Sequence, residues 1–265
     1  MSRNLPFLSP GLSEVRAYFR RKSGLQAIPS VDETLADLLR ELDTIVYRRD
    51  ELAKRLAPHR SKSVLFVGHS YYSTWFISRR LRNLGWHSDL LDYAVEANAH
   101  YSLGQDFGFD SETSVAEQLE TYIRALYAYS IFHFNNAHGI VFGWSLEPLL
   151  DSRYGSNSSI WLLRALGKGI TYANNGCHDG VAQTSFSKWS EPSVCSECRW
   201  ENTPSVCSDD RNLTFGAFRN AVIDVGFLAG GNRTDWNADS KFHEVPQFYS
   251  SDPDLWSPNL RVPEK

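Results

Sequence analysis

The chain has 265 residues, 42% hydrophobic and 13% aromatic, which is enough apolar surface for a sizeable core and more than one ordinary α/β unit requires. A net charge of −4 gives no electrostatic footprint for nucleic acid, so nucleic-acid partners are not expected. No apolar stretch approaches the roughly 18 residues of a transmembrane segment, and Val15 to Phe19 runs straight into Arg20, Arg21 and Lys22 instead of a secretory apolar core; a cytoplasmic location is expected, with a peripheral place on the inner face of the membrane as its variant.

Residues 1–30 are rich in Pro, Gly and Ser and are expected to be poorly ordered, although Glu14 to Arg21 could form a short helix. From Val31 to Ala57, Leu35, Leu38, Leu39, Leu42, Ile45, Val46, Leu52 and Leu56 recur at three- and four-residue steps. Asp32 and Glu33 fall in the first turn and Pro58 closes the end, so one long amphipathic helix is predicted. Arg49 interrupts the stripe, which favours packing on its own domain over a dimerising coiled coil. Residues 1–60 therefore read as a flexible segment plus helix, and 61–265 as the main domain.

Val64 to Val67, with Ser63 before it, is an apolar run too short for a helix and closed by Gly68. A helical pattern follows (Trp75, Phe76, Ile77, Leu81, Leu84), stops at Gly85, and gives way to a second strand, Ser88 to Tyr93. Strand, tight turn, helix and strand make the first βαβ unit of a Rossmann-like sheet. Ligands of such sheets sit at the carboxyl ends of the strands, which singles out Gly68, His69, Ser70 and Tyr71.

Ala94 to Asp110 reads as a loop, and Ser114 to Tyr127 as a helix with Val115, Leu119, Tyr122, Ile123 and Leu126 on one face. Ser130 to Phe134 is the next strand, ending in Asn135, Asn136, Ala137, His138 and Gly139. A helix or turn around Trp144 to Leu150 and a helix from Ser159 to Leu166 precede a further strand, Lys168 to Ala173, which ends in Asn174, Asn175, Gly176, Cys177, His178, Asp179 and Gly180. The expected fold class is α/β: a Rossmann-like parallel sheet sandwiched by helices, with an N-terminal helical extension and a Cys-rich loop insertion near 177–210. On such a sheet the three polar strand ends line one crevice.

Four cysteines occur, Cys177, Cys195, Cys198 and Cys207. Cys195 and Cys198 form a C-x2-C knuckle with one cysteine on either side, a spacing from which four thiolates could close a tetrahedral structural zinc site. A redox pair fits less well, because a thioredoxin-like C-x-x-C opens a helix and this one lies between Pro192 and Pro204. Disulfides fit poorly without a secretory signal, and four unrelated buried cysteines remain the bland reading. Among the histidines, His133 sits inside a strand and reads as a core residue, whereas His69, His138 and His178 follow strand ends, where each is either a ligand contact or a satisfied loop residue. Asp179 could act as a general base or orient a hydroxyl, but an Asp before Gly is also a common turn. No G-x-G-x-x-G or P-loop sequence is present, so no dinucleotide or P-loop nucleotide site is supported. Sequons begin at Asn157, Asn212 and Asn232, with little meaning in a cytoplasmic protein.

Taken in order, SVLFVGHS and its following helix, IFHFNNAHG, and KGITYANNGCHDG resemble three segments of the amino-terminal, acceptor-side domain of GT-B glycosyltransferases, especially the retaining family-four type. Phe218 to Asp224 and Val245 to Pro258 resemble the segments that close that domain, so the likeness spans about residues 62–262. It implies transfer of a sugar from a nucleotide-sugar donor to a hydroxyl of a sugar or glycan acceptor. Gly68, His69, Ser70, Tyr71, Asn135, Asn136, His138, Asn174 and Asn175 would bind the acceptor, and His178 and Asp179 would be catalytic. Two departures stand out. Asn174 and Asn175 occupy the place where those enzymes usually carry a histidine, and Lys265 falls where their donor-binding domain would begin. The expectation is therefore an acceptor-binding half that works with a separate donor-binding domain or subunit. The alternative is a non-catalytic Rossmann-like binding or assembly module with a zinc-stapled loop; a nucleotide-dependent epimerase is disfavoured by the missing glycine fingerprint and Y-x-x-x-K pair.

Overall fold

The computed structural model describes residues 35–57, 62–68, 73–93, 105–110, 112–135, 139–174, 180–186, 188, 192–199, 201, 203, 207–229 and 232–245. Among them, seven strands form a single sheet: β1 (Ser63–Val67), β2 (His87–Tyr93), β3 (Phe107–Phe109), β4 (Ile131–Asn135), β5 (Gly169–Ala173), β6 (Val225–Ala229) and β7 (Phe242–Val245). Their spatial order is β3-β2-β1-β4-β5-β6-β7 and every pairing is parallel. The expected α/β class with a parallel, Rossmann-like sheet is thus the fold of the protein. Parallel strands need crossovers, and the helices that make them cover the faces.

Successive side chains of a strand point to opposite faces, and β1 divides accordingly. Leu65 and Val67 join Leu91, Phe132, Phe134, Ile170, Tyr172 and Leu228 in the large core; Val64 and Phe66 join Leu90 in a small cluster on the other face. Helix α1 (Leu35–Tyr47) and helix α2 (Arg49–Leu56) precede β1, and Leu38, Leu42, Ile45 and Leu52 are buried in the large core. Each such side chain contributes roughly 1.5–3 kcal/mol by burial. The extension thus packs on its own domain. The single helix expected over this stretch is divided at Arg48, whose ψ of 17° leaves the helical region. The bend lets α1 pack on helix α4 (Val115–Ala128), and α2 reaches helix α6 (Ser158–Ala165).

Helix α3 (Ser73–Asn83) covers β1 and β2 on the small-cluster face, where Trp75 and Leu81 pack. Charge fixes it there as well. Arg82 pairs with Asp106 at 2.7 Å and with Asp89, whose side chain is fully buried and also accepts the Tyr129 hydroxyl at 2.7 Å. Asp106 further accepts the backbone N–H of Leu90 at 3.0 Å, tying the approach to β3 onto β2. β3 falls inside the segment expected to be a loop; three residues with a central glycine are too few for a periodic signal. Helix α4 opens on a capping box, Ser114 accepting from Glu117 N and Glu117 from Ser114 N. Helix α5 (Leu146–Tyr154) and α6 carry the crossover from β4 to β5, and a short helix α7 (Gln183–Phe186) and helix α8 (Asp209–Val222) lie between β5 and β6. Among the described residues no helix is long and apolar enough to cross a membrane.

Candidate functional site

The chain runs β1, β2, β3 toward one edge and then returns to continue β4, β5, β6, β7 toward the other, so the order reverses between β1 and β4. At such a switch point the flanking crossovers part to opposite faces and leave a crevice above the carboxyl ends. The residues at that place follow from the register. Val67 pairs with Phe134, which sets Gly68 level with Asn135, and Asn135 pairs with Ala173, the residue before Asn174. The ends of β1, β4 and β5 are therefore level at Gly68, Asn135 and Ala173, with Asn174 one residue beyond that row.

Each member is held in its own way. Gly68 has φ +83°, a conformation that suits glycine, and its N–H donates to Leu91 O at 2.9 Å. Asn174 is buried and its N–H donates to Phe227 O at 3.1 Å. Asn135 is only 5% exposed, yet its carboxamide oxygen has no hydrogen-bond partner among the described residues. Below it on the same face lies His133, 8% exposed, with Nδ1 2.8 Å from Thr171 Oγ1 and its ring 5.0 Å from that of Phe66. Burial pushes the His133 imidazole down to about 4, so it is neutral near neutral pH and supports the row without carrying charge.

The crossover from the top of β4 carries two residues that the sequence pattern did not single out. Glu147, in the first turn of α5, accepts from Phe142 N at 2.8 Å and from the Ser159 hydroxyl at 2.7 Å, joining the loop to α6. Burial raises the proton affinity of its carboxyl, and these hydrogen bonds work against the rise. Its signal was an acid early in a helix, which local pattern cannot separate from an ordinary first-turn charge. Trp144, on the same loop, is 51% exposed, an unusual place for so large an apolar ring.

After β5 the chain reappears at Gly180, with φ +92°, lodged against α8. A Cβ there would meet Gly216 Cα at 2.9 Å and Trp236 O at 3.2 Å. Of the predicted metal ligands, Cys195, Cys198 and Cys207 are free thiols. Burial raises the Cys195 thiol above its ordinary range; the Ser193 contact lowers it, and Cys207 and Cys198 add to the rise. Among the described residues no group of three or more His, Cys, Asp or Glu side chains is gathered closely enough to hold a metal. His69, Ser70, Tyr71, Asn136, His138, Asn175, Cys177, His178 and Asp179 lie outside the described residues. From the predicted set, the register sets Gly68 level with Asn135, and Asn174 lies one residue beyond that level on the neighbouring strand. No protein-family model matches the chain, and no curated protein matches it significantly.

Proposed function

We propose that this domain is the acceptor-binding side of a glycosyltransferase, moving a sugar from a nucleotide-sugar donor to a hydroxyl acceptor. The observation that carries the reading is the Asn135 carboxamide oxygen, buried at the switch point without a donor among the described residues. A buried acceptor left unpaired costs about 1–3 kcal/mol. A hydroxyl of a bound sugar or glycan supplies the missing donor, and the backbone at Gly68, level with Asn135, has no side chain to hold the ligand away.

In this reading His69, Ser70, Tyr71, Asn136, His138, Asn174 and Asn175 complete the acceptor contacts with Gly68 and Asn135. His178 and Asp179 assist removal of the acceptor proton. The departing diphosphate is stabilised by groups on a separate donor-binding domain or subunit, since charge development there needs preorganised donors.

The test is binding of the purified chain to an array of glycans, with the affinity for any hit compared between wild type and Asn135→Ala. Loss of the hydrogen bond should weaken binding about tenfold, equivalent to about 1.4 kcal/mol. No carbohydrate binding, together with no turnover of nucleotide sugars alone or beside a donor-binding partner, would sink the proposal. Glycan binding without transfer would leave only the non-catalytic module. Sustained sugar transfer by the isolated chain would remove the half-enzyme element.

A further inference from the structure

The level of Gly68 and Asn135 continues toward the β3 edge of the sheet. Val67 pairs with Leu91, so Gly68 is level with Asp92, and the Gly68 N–H bond to Leu91 O carries the ladder to that level. Asp92 in turn pairs with Gly108 of β3. Asp92 therefore has a glycine on either side, and Asn135 stands beyond Gly68.

Alternation puts both polar side chains on one face of the sheet. Val67, Leu91, Phe132 and Phe134 enter the large core, whereas Phe66 and Leu90 enter the small cluster. Asp92, two residues after Leu90, shares the small-cluster face. So does Asn135, two residues after His133, whose ring packs on Phe66. Asp92 is 3% exposed, and a buried carboxylate is retained only where donors meet it. Its two oxygens offer about four acceptor sites, more than one neighbour fills. A Cβ added at Gly108 would lie 3.5 Å from Gln105 Nε2, so a carboxamide stands over that glycine. Gly68 has no side chain to fill the space between Asp92 and Asn135.

Both of these groups accept hydrogen bonds, so a ligand between them has to donate at two places. Adjacent strands lie roughly 4.8 Å apart, which sets the bases of the two side chains about 10 Å apart across Gly68. With the side chains standing off the sheet, two O–H···O bonds of roughly 2.7 Å leave about 4–5 Å between the donating oxygens. Non-adjacent hydroxyls of one sugar ring have that separation.

We propose that Asp92 is a further sugar-binding residue, its carboxylate accepting one hydroxyl of a pyranose whose other hydroxyl meets the Asn135 oxygen, with the ring over Gly68. This role rests on the sugar-binding reading of Asn135 and adds the second contact that fixes the ring's orientation. An ionised acceptor makes the stronger bond of the two, so Asp92 selects which ring is held. The same strand end is where an acidic side chain meets ribose hydroxyls in doubly wound nucleotide folds. This chain has no glycine fingerprint after β1 to cradle a diphosphate, which favours the pyranose.

The test is a titration of the full chain with methyl glucoside, mannoside and galactoside, followed by amide nuclear magnetic resonance, and then with monodeoxy derivatives of the pyranoside that binds. The amides of Gly68, Gly108 and Asn135 should shift and saturate. Asp92→Ala should raise the Kd about tenfold or more, with a smaller rise for Asp92→Asn, which keeps the shape and one acceptor oxygen. Should Asp92→Ala fail to fold, Asp92→Asn carries the comparison. The derivative lacking the hydroxyl that faces Asp92 should bind wild type and variant equally, whereas derivatives lacking a different hydroxyl should keep the difference. An equal loss for every derivative makes Asp92 structural and overturns the proposal. So does the absence of shifts with any pyranoside, shifts centred away from these amides, or a response to uridine alone. Unchanged affinity in both Asp92 variants, beside weakened binding in Asn135→Ala, overturns the role of Asp92 and leaves the sugar-binding reading standing.

Discussion

The row at Gly68 and Asn135 and the segment from Gln183 to Cys207 are ordered by different physics. The row stands on strands whose residues are buried in the core or in the small cluster beneath α3, and its geometry is set by backbone pairing across β1, β4 and β5. Among its described residues the cysteine-bearing segment has one short helix, one 3₁₀ turn and a single bridge, and little buried apolar surface. A ligand site gains from the first kind of support, because an unpaired acceptor is held in place at little further entropic cost.

Hydrogen exchange should expose this difference most strongly. Amides of Phe66 and Phe134 should exchange only through global unfolding, at about 5 kcal/mol or more. The amide of Cys198, exposed at the end of a short 3₁₀ turn, should exchange with an opening free energy near zero; equal protection in both places would remove the distinction. Gly180, where the cysteine-bearing segment joins the core, gives the next effect. Gly180→Ala combines left-handed strain with a clash against the Gly216 backbone and should cost about 3 kcal/mol. Gly155→Ala has a similar φ of +97° but open space around its Cβ, and should cost about 1 kcal/mol. Urea midpoints of the two variants measure the gap, and equal losses would mean that the contact with α8 is unimportant.

His133 supplies a pH-dependent effect of comparable size. Its folded value of about 4 lies below the ordinary 6.5, so between those values the unfolded chain binds more protons and stability falls as the solution is acidified. The full share is about 3 kcal/mol. Glu147, whose carboxyl binds its proton more readily in the folded state, opposes this on acidification. The difference between wild type and His133→Gln in urea melts at pH 7 and pH 4.5 isolates the histidine; identical pH slopes would show that burial does not hold it neutral. The smallest effect belongs to Asn135→Ala, which should alter ligand-free stability by less than about 1 kcal/mol because no hydrogen bond of its oxygen is lost. A large loss there would make Asn135 a structural residue.

Much of this architecture is local enough to appear in the sequence. Ser63 to Val67, Ile131 to Asn135 and Gly169 to Ala173 stand out as short apolar runs that end in glycine or asparagine. α4 shows its apolar stripe within a single window. β3 and β7 do not stand out: three or four residues carry too little periodicity, and they become strands by pairing with β2 and β6. The division at Arg48 was equally hidden, since a stripe records which residues turn inward but not the direction in which two helices must diverge to reach separate partners.

By itself the sequence determined the α/β class and the main strands, because periodicity and turn residues act over a few neighbours. Only the tertiary structure decided that the chain reverses between β1 and β4, that Gly68 is level with Asn135, and that the Asn135 oxygen is buried without a donor among the described residues. Those facts depend on pairing between residues more than sixty positions apart, for which the local pattern of either strand carries no signal.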